Sequence, residues 1–156
     1  MSVEIFKAEG FEELEQQLLQ LAEGFRGDLV MRNTVTPAVR VALEPVLASV
    51  ISRAPYDEKN TGPIHLRNTA RIDARIPTSA DRKSEYVSAT DAVIGVVSVK
   101  KSAVSLSQEF GNARTSPRPY LRVSLESNRD NIVNILKSEL AVSIPAYAKK
   151  LAKRKI

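Results

Sequence analysis

The chain has no cysteine, no tryptophan and a single histidine in 156 residues. Without cysteine it can form neither disulfides nor thiolate metal sites. That absence suits a reducing compartment. His65 stands alone, and one imidazole without cysteines or suitably spaced carboxylates does not build a zinc site. It reads as a loop residue rather than a catalytic base. The 6 glycines are scattered, so there is no Gly-rich phosphate loop. No serine stands in a nucleophile-elbow context. Asp57 and Glu58 are adjacent acids that read as a solvated loop. No apolar run approaches the roughly 20 residues that cross a bilayer. The opening MSVEIFKAEG has neither the basic start nor the apolar stretch of a signal peptide. The sequence thus offers no catalytic group, cofactor site or metal site, and the expectation is a non-enzyme.

Aromatics make up only 5%, so a core must be built from Leu, Ile, Val and Ala. The apolar share of 43% and charged share of 26% are ordinary for one globular domain spanning residues 1–156. The net charge of +5 is unevenly placed. Residues 1–23 carry six Glu against Lys7 alone, while Lys149, Lys150, Lys153, Arg154 and Lys155 crowd the other end. Such polarity suits directional, charge-steered contacts. The alternative is that both ends are solvated faces.

Phe11, Leu14, Leu18, Leu21 and Phe25 form one apolar stripe at helical spacing, with Glu12, Glu13 and Glu15 in the first turns, and Gly24 and Gly27 mark its end. Val35, Val39, Leu43, Val46 and Val50 predict a second helix, started by Thr36-Pro37, kinked at Pro45 and ended at Ala54-Pro55. Residues 56–65 and 77–85 are polar, Pro-containing segments expected to be mobile loops. Between them, Ala70, Ile72, Ala74 and Ile76 alternate with Arg71, Asp73 and Arg75, the pattern of a half-buried strand. Strand signals resume at Tyr86–Ala89 and in Val93–Val99. Residues 102–110 fit either a strand or a short helix. Leu121, Leu125, Ile132, Ile135, Leu136, Leu140 and Ile144 predict a long final helix. It should pause where Ser127 and Asp130 resemble a capping box, and bend or end at Pro145. The expected fold class is α+β: an antiparallel sheet of three or four strands packed by two N-terminal helices and a long C-terminal helix.

One stretch is overspecified for a plain loop. Glu109-Phe110-Gly111 precedes Arg114, Arg118 and Arg122, which surround Pro117, Pro119, Tyr120 and Leu121. The prolines stiffen it, and it reads as a preorganised interface presenting arginines to a neighbour. The acids Glu12, Glu13 and Glu15 are the candidate counter-surface. A rigid start to the last helix is the plainer alternative.

Five motifs then occur in order: Gly10-Phe11 with Leu14, Leu18 and Leu21; Arg53-Ala54-Pro55; Thr61-Gly62 with Leu66-Arg67-Asn68; Glu109-Phe110-Gly111; and Arg118-Pro119-Tyr120-Leu121-Arg122 with Ser124-Leu125. In this the chain resembles the head–tail joining or tail-completion proteins of siphophages and prophages, of the Hong Kong ninety-seven gene-product-ten type. Tyr120 stands where that family commonly has phenylalanine. The resemblance implies a virion protein of the neck or upper tail, made in the host cytoplasm and working as a homo-oligomeric ring, sixfold, that completes the tail and joins it to the head. Its partners would be copies of itself and adjoining adaptor, neck, tail-terminator or tail-tube proteins, with non-specific contact to genomic DNA in the channel and no membrane. A tail terminator of the same particle is one alternative. A small basic DNA-binding protein is the other, since lysines and arginines act on phosphates without reading sequence.

Overall fold

A computed structural model describes residues 11–24, 27–56, 58–59, 62 and 65–154. Seven α-helices and two strands are found among them, in the order α1 (Glu12–Gly24), α2 (Gly27–Asn33), α3 (Val35–Ala42), α4 (Glu44–Arg53), β1 (Arg71–Arg75), β2 (Ile94–Ser98), α5 (Ala103–Phe110), α6 (Leu121–Ser127) and α7 (Arg129–Arg154). The class is α+β. The sheet, however, has two strands among the described residues, not three or four.

The expected second helix is three. Helical structure starts before Thr36, at Gly27, and breaks at Thr34, whose buried hydroxyl donates to the Val30 carbonyl at 2.6 Å. It breaks again at Leu43, two residues before Pro45, which sits in the first turn of α4 where its missing N–H costs nothing. The run Gly27–Arg53 is long and apolar enough, by length and composition, to cross a membrane. Its inward residues Val30, Ala38, Ala42, Leu43, Val46 and Val50 build the protein's own core, and a core helix passes the same test.

β1 and β2 pair antiparallel, with Ile72 opposite Val97 and Ala74 opposite Gly95. Those pairs share one face, because side chains alternate along a strand, and α3 packs against both strands. Gly95 permits the close approach. A Cβ there would sit 2.6 Å from Val39 Cγ1 and 2.7 Å from Leu43 Cδ1.

Tyr86–Ala89 forms turns, not a strand. The reason is local: the Arg82 guanidinium donates to the carbonyls of Ser88 (2.9 Å), Ala89 (3.1 Å) and Asp91 (3.3 Å), curling the chain around one side chain. The preceding segment is tied to β1. Arg75 donates to both Asp81 carboxylate oxygens, at 3.0 and 2.7 Å, and also reaches Asp73. Of the segment 56–65, residues 57, 60, 61, 63 and 64 lie outside the described residues.

Two apolar clusters form the interior. Leu18, Val30, Ala38, Leu140 and Ile144 join α1, α2, α3 and α7. Ala42, Leu43, Val46, Val50, Ala54, Tyr120 and Ile132 join α3 and α4 to the start of α6 and to α7. The final helix pauses at Asn128, whose side-chain amide donates to the Ser124 carbonyl at 2.8 Å; Ser127 instead donates to Ser124 and makes no capping box. Pro145 does not end α7, which runs on to Arg154. Ile144 before it and Leu151 after it are both buried, so packing anchors the helix on either side of the lost backbone bond.

Candidate functional site

Residues 102–122 form a surface segment held by many hydrogen bonds. α5 is a helix, started by a reciprocal capping box: Ser102 Oγ accepts the Ser105 N–H at 3.0 Å and Ser105 Oγ accepts the Ser102 N–H at 2.8 Å. It ends at Gly111, where φ is +74°. A Cβ at Gly111 would lie 2.8 Å from Pro117 Cδ and 2.9 Å from the Thr115 carbonyl oxygen, so this turn requires glycine.

The chain then folds back on α5. The Arg118 N–H donates to the Gln108 carbonyl at 2.7 Å, and Asn112 Oδ1 accepts from the Arg114 and Thr115 N–H groups at 2.8 and 2.9 Å. Glu109 closes the return. Its buried carboxylate accepts the backbone N–H of Tyr120 at 2.8 Å, Leu121 at 3.0 Å and Arg122 at 3.0 Å. These N–H groups begin α6 and have no partner within that helix. An acid at that end also meets the favourable end of the helix dipole. Glu109 thus caps a helix eleven residues further along the chain, a role no local capping signal announces.

Tyr120 is 1% exposed and packs with Ala54, Val50 and Ile132. Burial, and secondarily the Glu109 charge, push its phenol up to about 12. Its hydroxyl reaches toward the Ser105 carbonyl at 3.5 Å. Leu121 is only partly buried, so Tyr120 is the anchor of the segment.

The expected interface residues therefore divide. Glu109 and Tyr120 point inward and hold the loop. Phe110, Arg114 and Arg118 are exposed, and Arg122 is half-buried. Because α6 starts at Leu121, Arg118 lies in the extended lead-in and does not share a helical face with Arg122. Glu12 and Glu13 are exposed on α1, while the Glu15 side chain lies outside the described residues. The basic end is helical: Lys149, Lys150, Lys153 and Arg154 are exposed on α7, and Lys155 lies outside the described residues.

Elsewhere, His65 stacks on Tyr56 with ring centroids 4.4 Å apart, and the Arg67 guanidinium lies 4.0 Å over the same ring. This joins Tyr56, just after α4, to His65 and Arg67. Among the described residues no group of three or more His, Asp or Glu is placed to hold a metal.

No protein-family model, curated protein or solved structure matches the chain.

Proposed function

We propose that the chain is a structural protein of a tailed-phage particle, forming a ring at the head–tail junction that completes the tail and joins it to the head. One observation carries this reading. Of the five motifs behind the family resemblance, the first packs in the Leu18 cluster through Phe11 and Leu14, while residues from the other four, spread from Arg53 to Leu125, converge on one centre. Ala54 lies in the Tyr120 cluster, Leu66, Leu121 and Leu125 pack against it, and Glu109 holds the Tyr120 and Leu121 backbone. The convergence gives a rigid segment that carries exposed arginines on a preformed turn, the preorganisation a repeated subunit contact needs.

The test is to disrupt the gene in its phage. Full heads and separate complete tails, rejoined on adding purified protein, would support the reading, as would density for several copies in a neck map. Particles that join normally without the protein would overturn it.

The exposed cations on the last turns of α7 favour a second reading, a small basic DNA-binding protein. Gel shift on random duplex across salt concentrations separates the two. Tight binding with a steep salt slope supports the DNA reading. The plainer account is that Lys153 and Arg154 complement the α7 dipole.

A further inference from the structure

The polarity of α5 is inverted. It buries Ser105 and Glu109, at 4% and 5% exposure, and leaves Val104, Leu106 and Phe110 at 59%, 42% and 45%. The buried polar groups are fully engaged, Ser105 in the capping box and Glu109 on three N–H groups. The apolar residues have no such role. Ala103, Leu106 and Phe110 follow one another at steps of three and four, so they share one outward face, while Val104 projects from a different side of the helix.

That face is bracketed by cations. Lys100 and Lys101 precede α5, and Arg114 and Arg118 follow it, all exposed. The one acid between residues 99 and 122 is Glu109, whose charge is held inside. The surface is thus apolar in the middle and positive at both ends.

A surface of matching character lies on α1. Glu12, Glu13, Gln16, Leu19 and Gln20 are exposed, with Leu19 at 56%, and Glu12–Gly24 contains no lysine or arginine. The two faces belong to different parts of the fold: α1 packs on α2 and α7 over the Leu18 cluster, whereas α5 is tied to the start of α6 beside Tyr120. Since both are exposed within one chain, neither covers the other.

We propose that the α5 face of one copy docks on the α1 face of the next, placing Leu106 and Phe110 against Leu19, and Arg114 and Arg118 near Glu12 and Glu13. Two different patches meeting head to tail make a heterologous contact, which closes into a ring when its rotation allows. The proposal rests on the ring reading above and names the two faces of its repeated contact.

The natural absence of cysteine makes the test direct. Leu19→Cys and Leu106→Cys proteins are purified separately, mixed and oxidised. Mixed 19–106 dimers should form several-fold faster than dimers of Leu106→Cys with a control cysteine at exposed Ser79. Adding E12K/E13K to the Leu19→Cys protein should slow cross-linking, and adding R114E/R118E to its partner should restore it. Circular dichroism checks that each variant is folded. A 19–106 rate equal to the control, or indifference to charge reversal, would overturn the contact. So would binding to phosphatidylglycerol vesicles that Phe110→Ser abolishes, since the face would then belong to a lipid surface. If cross-linking fails while the neck map contains the protein, the ring stands on other faces and this inference alone falls. If cross-linking succeeds while the neck lacks it, the contact stands and the head–tail reading falls.

Discussion

The Glu109 carboxylate and the Tyr120 backbone N–H lie 2.8 Å apart, joining the end of α5 to the start of α6 across a loop that turns at Gly111. The same carboxylate holds the next two N–H groups, so one side chain sets where α6 begins. Glu109→Gln turns one acceptor oxygen into a donor facing backbone donors. It should lower stability by about 1–3 kcal/mol, the scale for an unsatisfied buried group. Urea unfolding followed by circular dichroism measures this, and a variant as stable as the parent would remove the capping role.

Gly111→Ala should also destabilise. The backbone there, at φ +74° and ψ 175°, lies in a region open essentially to glycine. An alanine would pay about 1–3 kcal/mol in backbone strain and clash with Pro117 as well. Alanine at exposed Ser79 is the control. Equal losses at both positions would show that the Gly111 turn is not special.

Tyr120 gives the fold an alkaline limit. Its folded pKa, about 12, lies above the ordinary value of 10.0. Between those values the unfolded chain has lost the phenol proton while the folded chain keeps it, so stability is intact below pH 10 and falls as pH rises toward 12. Tyr120→Phe should flatten that slope. Absorbance titration of the tyrosines should lose its ionisation near pH 12 in this variant.

At the acid end the sign reverses. The Arg75 guanidinium and the Thr78 N–H hold the Asp81 carboxyl well below its ordinary 3.8. Its contribution is therefore complete above pH 3.8 and is lost as pH falls further below it. Amide protection factors at residues 78–84, corrected for the intrinsic pH dependence of exchange, should fall below pH 3.8 in the parent, and Asp81→Asn should show low protection already at neutral pH. Unchanged exchange in that variant would mean the pair does not hold the segment.

Periodicity made the main helices and strand β1 legible in the sequence, because burial imposes a repeat of 3.6 or 2 on the residues themselves. Two kinds of feature left no such trace. The Glu109 cap joins residues eleven or more apart, and Arg82 bends Tyr86–Ala89 by reaching backbone carbonyls; neither repeats. At α5 the repeat is present but inverted, since Ser105 and Glu109 take the inside. Pro145 shows the opposite failure, a strong local stop signal overridden by buried neighbours on both sides.

The basic end joins a structural and a surface role that one experiment can separate. Its position suggests a detachable tail, yet Leu151 lies among the cations and is buried at 8% exposure. Removing residues 149–156 would strip that side chain from the fold. Leu151→Ala should cost about 2 kcal/mol, and the truncation should lower the melting temperature at least as much. The charges are another matter. Lys149 with Lys153 and Lys150 with Arg154 sit four residues apart on one helix, where like charges repel by about 0.2–0.5 kcal/mol per pair. That repulsion is offset in part by the helix C-terminus, which favours cations. Changing these four residues to Gln should therefore leave the melting temperature nearly unchanged. If they meet DNA or an acidic ring in the particle, the same variant should reduce the yield of joined particles. The Leu151→Ala variant should lose stability while keeping its charges. Normal assembly by the four-Gln variant would reduce the basic end to a solvated helix terminus.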